Sequence, residues 1–286
     1  MTKIALLACE KFPNLTPSDQ LLIPALAKYN IQAKAAIWDN PSIDWTTYDY
    51  LIFRNTWDYY EKEKEFNLWL DQIEKLGIKT LNSIKIIKQN KHKFYLKDLQ
   101  KKGVNIIPTL FQEKTNKLDL KAIVPKDWKK IVIKPAFSAG SYLTEVFQAS
   151  EIESINSKYS SIAIEKELLI QEFKSEITSL GETSFIFFNK QFSHCVNKKP
   201  AENDFRIQVQ FGGKYTLIQP SIELIEQAQK IVNLFPDNLL YARVDGIIID
   251  NQINLMEVEC IEPDLYFALA SESLERFVTS ILELIE

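Results

Sequence analysis

The sequence predicts a mixed architecture, with a small Rossmann-like parallel α/β domain at residues 1–86 followed by two α+β units at 87–173 and 174–286. Apolar runs alternate with helical patterns in the first unit, which is typical of parallel α/β layers. Later strand-like segments follow one another with short connections, as in antiparallel sheets. Two such segments flank a polar turn at 250–252 and predict a hairpin over 241–260.

The first unit contains strand patterns and helix signals in turn. Ser18 is a candidate cap for a helix that runs to Tyr29. A second helix over 62–76 ends at Gly77, a residue that tolerates the left-handed conformation of helix ends. The predicted strands are 3–8, 32–38 and 50–53.

The other two units alternate less regularly. In the second unit, a helix over 90–102 ends at Gly103, and a later helix is predicted near 150–159. Its strand-like segments are 106–111, 131–135, 142–148 and 168–173. In the third unit, helices are predicted over 221–234 and 271–285. Its other strand-like segments are 183–189, 191–196, 204–211 and 214–218.

Composition excludes several classes of protein. The net charge is −4, which gives no electrostatic reason to expect a nucleic-acid or membrane-surface partner. Three scattered cysteines predict reduced thiols, and two histidines make a multi-histidine metal site improbable. No apolar window approaches the ~18 residues of a membrane span. These features predict a soluble, cytoplasmic protein.

The predicted hairpin places acidic side chains opposite one another. Because side chains alternate along a strand, a three-residue turn would pair Ile249 with Ile253 and Ile247 with Leu255. The same register sets Asp245 opposite Glu257 and Arg243 opposite Glu259.

Three carboxylates on one face require a counter-charge, since directly opposed like charges destabilise a sheet. Asp245, Glu257 and Glu259 are therefore candidate ligands of Mg²⁺, a hard cation that takes oxygen ligands. The alternative is a half-exposed hairpin whose acids are solvated and paired with Arg243.

Lysines, small residues and further polar groups precede the hairpin. Lys134 ends a buried strand and is followed by the small residues 138–141, which suit phosphate binding through backbone N–H groups, although a surface turn fits as well. Lys91 alone suits a solvated helix face. Gln171, Glu172, Phe173 and Glu182 suit contacts to adenine and ribose, or an ordinary strand and loop. Lys198 and Arg206 suit phosphate binding or pairing with nearby acids.

Taken in order, these segments resemble the ATP-grasp superfamily over residues 88–265. The group within it that looks most similar comprises glutathione-synthetase-like and cycloserine-forming cyclo-ligases, through Trp57-Asp58, His194 and Glu262-Pro263. The matching pieces are Asn90-Lys91, Lys134-Pro135, Gln171-Glu172-Phe173, Gly181-Glu182, Arg206 before Gly212-Gly213, Arg243-Val244-Asp245 and Glu257-Val258-Glu259. Glu259 stands where many members of the superfamily have asparagine.

The resemblance implies two α+β lobes that sandwich ATP, preceded by the α/β domain. It implies phosphate contacts from Lys91, Lys134, Ser138, Ala139, Gly140 and Ser141, and adenine or ribose contacts from Gln171, Glu172, Phe173 and Glu182. One or two Mg²⁺ ions, or Mn²⁺, would lie on Asp245, Glu257 and Glu259. Arg206 and Arg243 would face the transferred phosphoryl group.

The implied activity is an ATP-dependent ligase that forms an amide bond between a small-molecule carboxylate and an amine through an acyl phosphate. One alternative is intramolecular cyclisation of an amino-acid derivative, and another is an inactive nucleotide-binding regulatory module. A third alternative is an enzyme that phosphorylates a carboxylate and uses a peptide or protein terminus as the acceptor. A homodimer is a possible assembly.

Arg54 follows a predicted strand of the first unit, where loops of parallel layers bind ligands. We hypothesise that Arg54 pairs with a substrate carboxylate and that Trp57 and Asp58 shape the pocket, with Lys198 nearby. The alternative is that the aromatic residues only pack and that Arg54 pairs internally with Asp58.

Overall fold

A computed structural model describes residues 1–201 and 212–285 of the chain. The strand predicted at 204–211 lies wholly outside the described residues, and so does Arg206. The strands of the described residues form three sheets, which follow the order of the three predicted units. The domain boundaries themselves stay predictions.

The N-terminal sheet is parallel, with the strand order β2-β1-β3-β4. Ile4 and Leu6 face one core while Ala5 and Leu7 face another, so both faces of β1 are covered and its apolar run is explained. The elements are β1 (Thr2–Ala8), α1 (Pro17–Gln20), α2 (Leu22–Ala27), β2 (Ile31–Ile37), β3 (Tyr50–Asn55), α3 (Glu63–Leu76) and β4 (Lys79–Thr80).

Gly77 ends α3 in the left-handed conformation, with φ of 70°, as its position predicts. The predicted cap at Ser18 is wrong, because Thr16 accepts the hydrogen bond from the Asp19 amide. The helix expected up to Tyr29 is instead two short helices.

The second sheet is antiparallel, with the order β5-β8-β6-β7. The helix predicted over 90–102 is wrong in its first turn, because α4 ends at Asn90 and α5 starts at Tyr95. The elements are α4 (Ile84–Asn90), α5 (Tyr95–Lys101), β5 (Thr109–Gln112), α6 (Leu120–Ile123), β6 (Lys130–Pro135), β7 (Glu145–Gln148), α7 (Ile152–Glu165) and β8 (Leu168–Glu172).

The third sheet is antiparallel, with the order β11-β10-β9-β12-β13. One face packs on α9 and α5, and the other contributes Tyr241 and Phe188 to a core shared with the N-terminal sheet. The elements are α8 (Glu176–Ser179), β9 (Glu182–Phe188), β10 (Gln191–Lys199), β11 (Lys214–Ile218), α9 (Ile222–Asn233), β12 (Tyr241–Ile249), β13 (Gln252–Glu259) and α10 (Ser273–Ile285).

Side chains from α4 and α5, the two helices between the first and second sheets, cover the outer edge of β13. Tyr95 brackets Val258, whose amide donates to the Tyr95 hydroxyl at 2.7 Å and whose carbonyl accepts from it at 2.9 Å. The Asn90 side chain accepts from the Cys260 amide at 2.8 Å and donates to the Val258 carbonyl at 2.7 Å. These bonds satisfy an edge that would otherwise be exposed, and they fix the strand that carries the two glutamates.

Candidate active site

A cavity of about 920 Å³ lies where the three sheets meet. Val132 and Lys134 line it from the second sheet, Arg243 and Glu257 line it from the third, and Trp57 lines it from the loop after β3. A concave site at such a junction is where ligands usually bind.

The acidic hairpin has the predicted pairs at its functional end. Arg243 lies opposite Glu259 and Asp245 lies opposite Glu257. The predicted apolar pairs are wrong, because Ile249 lies opposite Gln252 and Ile247 lies opposite Asn254.

The predicted register contains two errors that cancel each other at the charged end of the hairpin. The turn has two residues, Asp250 and Asn251, both with positive φ, and a bulge at Met256 restores the pairing beyond Gly246. A Cβ on Gly246 would lie 2.8 Å from the Asn254 carbonyl oxygen, so the close approach at the bulge requires glycine.

Asp245 lies at the centre of a buried charge network. It accepts hydrogen bonds from Arg243 at 2.8 to 3.1 Å and from the Ser184 hydroxyl, and Lys198 lies 3.6 Å away. Burial raises the pKa of Asp245, but Arg243 and Lys198 outweigh it and lower that pKa to about 2. Lys198 also pairs with buried Glu182, so both predicted residues are present in one network.

Glu257 and Glu259 are the two acids of the hairpin that remain partly open to the cavity, with 28% and 27% of their side chains exposed. Glu257 pairs with Lys93, and Glu259 accepts from Arg243 at 2.6 Å. Burial raises the pKa of Glu259 to about 8, and the charges of Asp245 and Glu257 add to the effect while Arg243 opposes it.

Within residues 1–201 and 212–285, no three acidic, histidine or cysteine side chains converge closely enough to hold a metal ion. Each predicted carboxylate ligand turns instead towards a cationic side chain. The donor chemistry nevertheless fits Mg²⁺, since the oxygens are hard ligands and all three carboxylates line the cavity. The metal site therefore stays a prediction.

Lys134 and the small-residue loop, which are predicted to bind phosphate, line the cavity. Lys134 is buried, and burial lowers its pKa to about 8 against the raising effect of Glu257. Ser138, Ala139, Gly140 and Ser141 line the cavity beside it. Gly140 and Ser141 both have positive φ, with values of 58° and 63°.

The neighbouring strand of the same sheet, β8, carries the residues predicted to contact adenine. Gln171, Glu172 and Phe173 all line the cavity at the end of β8. Gln171 donates to the Thr109 hydroxyl at 2.9 Å, and Glu172 pairs with Lys174 at 2.6 Å. Glu182 begins the next strand and lines the cavity as well.

Lys91 is the wrong lysine for the cavity. It is not among the lining residues that the structure describes, and its ammonium group lies 5.4 Å from the centre of the Phe137 ring. Lys93, which sequence reasoning missed, lines the cavity and pairs with Glu257. The sequence predicts one continuous helix through both lysines, but the helix is interrupted between Asn90 and Tyr95. The directions of the two side chains therefore do not follow helical spacing.

Arg54 does not line the cavity, so the prediction that it contacts substrate is corrected. It is 1% exposed, pairs with Asp19 at 2.8 Å and donates to the Pro263 carbonyl at 3.0 Å. The internal alternative is wrong about the partner, since Asp58 accepts from Trp38 and pairs with Lys62.

Trp57 and Asp58 do line the cavity, as predicted. The Trp57 indole donates to the Glu262 carbonyl at 2.9 Å, and its ring packs edge-on against Phe12. Glu262 and Tyr59, to which sequence reasoning assigned no role in the cavity, line it beside them.

None of the helices described in the structure is both apolar enough and long enough to span a membrane.

Comparisons with known proteins agree with this geometry. Residues 4–82 match the family model described as the N-terminal domain of the D-cycloserine synthetase DcsG. The cycloserine biosynthesis protein DcsG of Streptomyces lavendulae is 23% identical over 280 residues, which cover 92% of each chain.

Solved structures show the same fold. The crystal structure of D-cycloserine synthetase DcsG superposes with a TM-score of 0.87 at 20% identity, covering 99% of this chain and 100% of that one. The ATP-grasp ligase PsnB, complexed with a phosphomimetic variant of its minimal precursor, Mg and ADP, gives 0.67 at 13% identity over 98% of each chain. The predicted ATP-grasp fold is confirmed, and both DcsG comparisons agree with the predicted resemblance to the cycloserine-forming group.

Proposed function

We propose that the protein is an ATP- and Mg²⁺-dependent ligase that activates a substrate carboxylate as an acyl phosphate and transfers it to an amine. The observation that carries the proposal is the meeting of cations and carboxylates in one cavity. Lys134 and Lys93 face it together with Arg243, Glu257 and Glu259. This mixture suits a polyphosphate bridged to a substrate through a divalent cation.

Nucleotide binding is assigned to the cleft between the second and third sheets. Lys134 supplies a point charge for phosphate, and the loop 138–141 supplies backbone donors beside it. Gln171 to Phe173 line the cavity from the neighbouring strand of the same sheet, and an adenine ring would lie beside them.

Glu257 and Glu259, with Asp245 behind them, are the residues assigned to Mg²⁺. The ion would neutralise the charge that develops on the transferred phosphoryl group. Binding it requires Glu257 to leave Lys93 and Glu259 to loosen its contact with Arg243. Lys93 and Arg243 then become available to bind phosphate oxygens.

Arg243 is assigned to the reacting centre. Its guanidinium is held by Asp245 and by the Asp264 carbonyl at 3.1 Å, so its orientation is fixed before substrate arrives. A preorganised cation stabilises the charge on the acyl phosphate and on the tetrahedral adduct without rearranging during the reaction. The rest of the catalysis is positioning, which explains how a site with few histidines is sufficient.

The relatives favour the cyclising form of this chemistry. The DcsG structure superposes over nearly the whole chain with a higher TM-score than the precursor-modifying ligase PsnB. We therefore infer that the amine and the carboxylate belong to one amino-acid derivative and that the product is a small ring.

An ADP-release assay tests the proposal. Wild-type protein with Mg²⁺ and ATP is incubated with amino acids of both configurations and with O-substituted serines, and products are weighed by mass spectrometry. We expect ADP and phosphate together with a product lighter than one substrate by one water. A product that joins two substrates would establish intermolecular condensation instead, and no ADP with any compound would favour a regulatory nucleotide-binding module.

A further inference from the structure

Glu262 is a buried acid of the cavity for which the described residues provide no cationic partner. Glu262 is 7% exposed and lines the cavity between the N-terminal loop and the acidic hairpin. Among residues 1–201 and 212–285, no lysine, arginine or histidine lies within ion-pair distance of its carboxylate. The Tyr59 hydroxyl donates a hydrogen bond to it. A buried carboxylate without a counter-ion is costly unless a ligand supplies the charge.

The backbone around Glu262 is held in place from three directions. The carbonyls of residues 262, 263 and 264 accept in turn from Trp57 at 2.9 Å, Arg54 at 3.0 Å and Arg243 at 3.1 Å. Three consecutive carbonyls with three different side-chain donors fix the course of this segment. The Glu262 carboxylate is therefore presented to the cavity by a rigid support, as binding groups usually are.

The other cavity acids that are buried or partly buried, and for which an ion pair is seen, are compensated. Glu257 has Lys93, Glu259 has Arg243, and Glu182 has Lys198. Burial raises the pKa of Glu262 to about 7, although Lys93 opposes the effect. An added positive charge beside Glu262 would restore its ionised form.

We propose that Glu262 binds the protonated amino group of the substrate that does not react, and so selects α-amino acid derivatives. The inference rests on the proposed function, because a cyclisation at the carboxylate leaves the α-amine charged and in need of an acceptor. Glu262 lines the cavity together with Trp57 and Tyr59, and Lys134, which is assigned to phosphate, lines the same cavity. The cavity thus offers an acceptor for a cation as well as cations for phosphate.

Binding of matched ligands to the ADP·Mg²⁺ complex tests this assignment without turnover. D-cycloserine carries an amine and isoxazolidin-3-one is the same ring without it, while D-serine and N-acetyl-D-serine form a second pair. We expect the wild type to prefer the amines, and Glu262→Gln to weaken them by about 10- to 100-fold, the usual effect of losing a charge-assisted hydrogen bond. The amine-free ligands should bind both proteins equally.

Two control variants separate charge recognition from a structural role. Tyr59→Phe removes the hydrogen bond but keeps the carboxylate, so amine binding should change by less than about 3-fold. Glu10→Gln removes an exposed acid from the same cavity and should have no effect.

Equal binding of the amines to wild type and Glu262→Gln would overturn the proposal, and so would a wild type that does not distinguish the members of either pair. Failure of the proposed function is detected separately, by absence of ADP release from the wild type. Thermal unfolding of each variant with ADP confirms that the nucleotide site is intact.

Discussion

Arg54 Nη2 donates a hydrogen bond of 3.0 Å to the Pro263 carbonyl, and the same guanidinium pairs through Nε with Asp19. The two residues are 209 positions apart. This contact joins the end of β3 to the segment that presents Glu262. We infer a positioning role for Arg54, which supports this cavity-lining segment through its backbone and does not itself line the cavity.

Replacing Arg54 by methionine tests this positioning role. Asp19 would stay buried without its cation, and loss of one partner of a buried pair destabilises a protein by about 3–5 kcal/mol. We expect Arg54→Met to lower the urea unfolding midpoint strongly and Arg54→Met with Asp19→Asn to recover part of the loss. Lys158→Ala, which breaks the ion pair between half-exposed Lys158 and Glu145, should lower the unfolding free energy by less than about 1 kcal/mol. An Arg54→Met protein whose urea unfolding midpoint equals that of the wild type would contradict this positioning role.

The pH dependence of nucleotide binding reports on Lys134. Its pKa of about 8 means that the ammonium group is lost above that pH, so ADP affinity should fall by up to about 10-fold between pH 7 and pH 9. Lys134→Arg keeps its charge and should give a flat profile, whereas Lys134→Met should bind about 10- to 100-fold more weakly at pH 7. Calorimetric titration at each pH measures all three. A wild-type profile as flat as that of the arginine variant would contradict the assignment.

The same lysine affects stability with the opposite sign. In the unfolded chain Lys134 has its ordinary pKa of 10.5, so between pH 8 and 10.5 the unfolded state binds more protons than the folded state. The cost of burying the charge is fully present below pH 8 and is relieved as pH rises through this window. We expect the difference in unfolding free energy between wild type and Lys134→Met to change in favour of wild type from pH 8 to 10.

The two partly exposed acids of the hairpin should set the Mg²⁺ requirement. Glu257→Gln and Glu259→Gln each remove a hard oxygen ligand, and we expect at least about a 10-fold increase in the Mg²⁺ concentration that gives half-maximal ADP release. Glu10→Gln serves as the control, since it removes an acid from the rim of the same cavity. Unchanged Mg²⁺ dependence in both glutamate variants would rule out the proposed metal site.

The hairpin also shows how far sequence reasoning reaches. Alternation along β12 and β13 was sufficient to predict the opposed acids, because side-chain direction has a period of two. The turn length and the bulge were not predicted, since both depend on positive φ at Asp250 and Asn251 and on a close approach at Gly246.

The hydrophobic and polar pattern of the sequence did not predict contacts between segments that are far apart in the chain. Nothing near Arg54 in the sequence marks Asp19 or Pro263 as its partners. Lys91 and Lys93 both lie in the break between α4 and α5, so helical spacing could not predict which of them lines the cavity. The strand β8 was predicted because an apolar run ends in polar residues.

The loop after β6 should be coupled to the N-terminal domain through an aromatic contact. The rings of Tyr142 and Tyr60 lie 5.0 Å apart, and Tyr142 follows directly on the loop residues 138–141. Aromatic pairs of this kind contribute about 0.5–1.5 kcal/mol, so Tyr142→Ala should weaken ATP binding by about 2- to 10-fold with little change in the unfolding midpoint. Tyr142→Phe keeps the ring and should behave as wild type in the same titration. If Tyr60→Ala and Tyr142→Ala each weaken ATP binding and the double variant is no weaker than either, the two rings act as one contact. Additive losses would mean that each tyrosine contributes to ATP binding independently of the other.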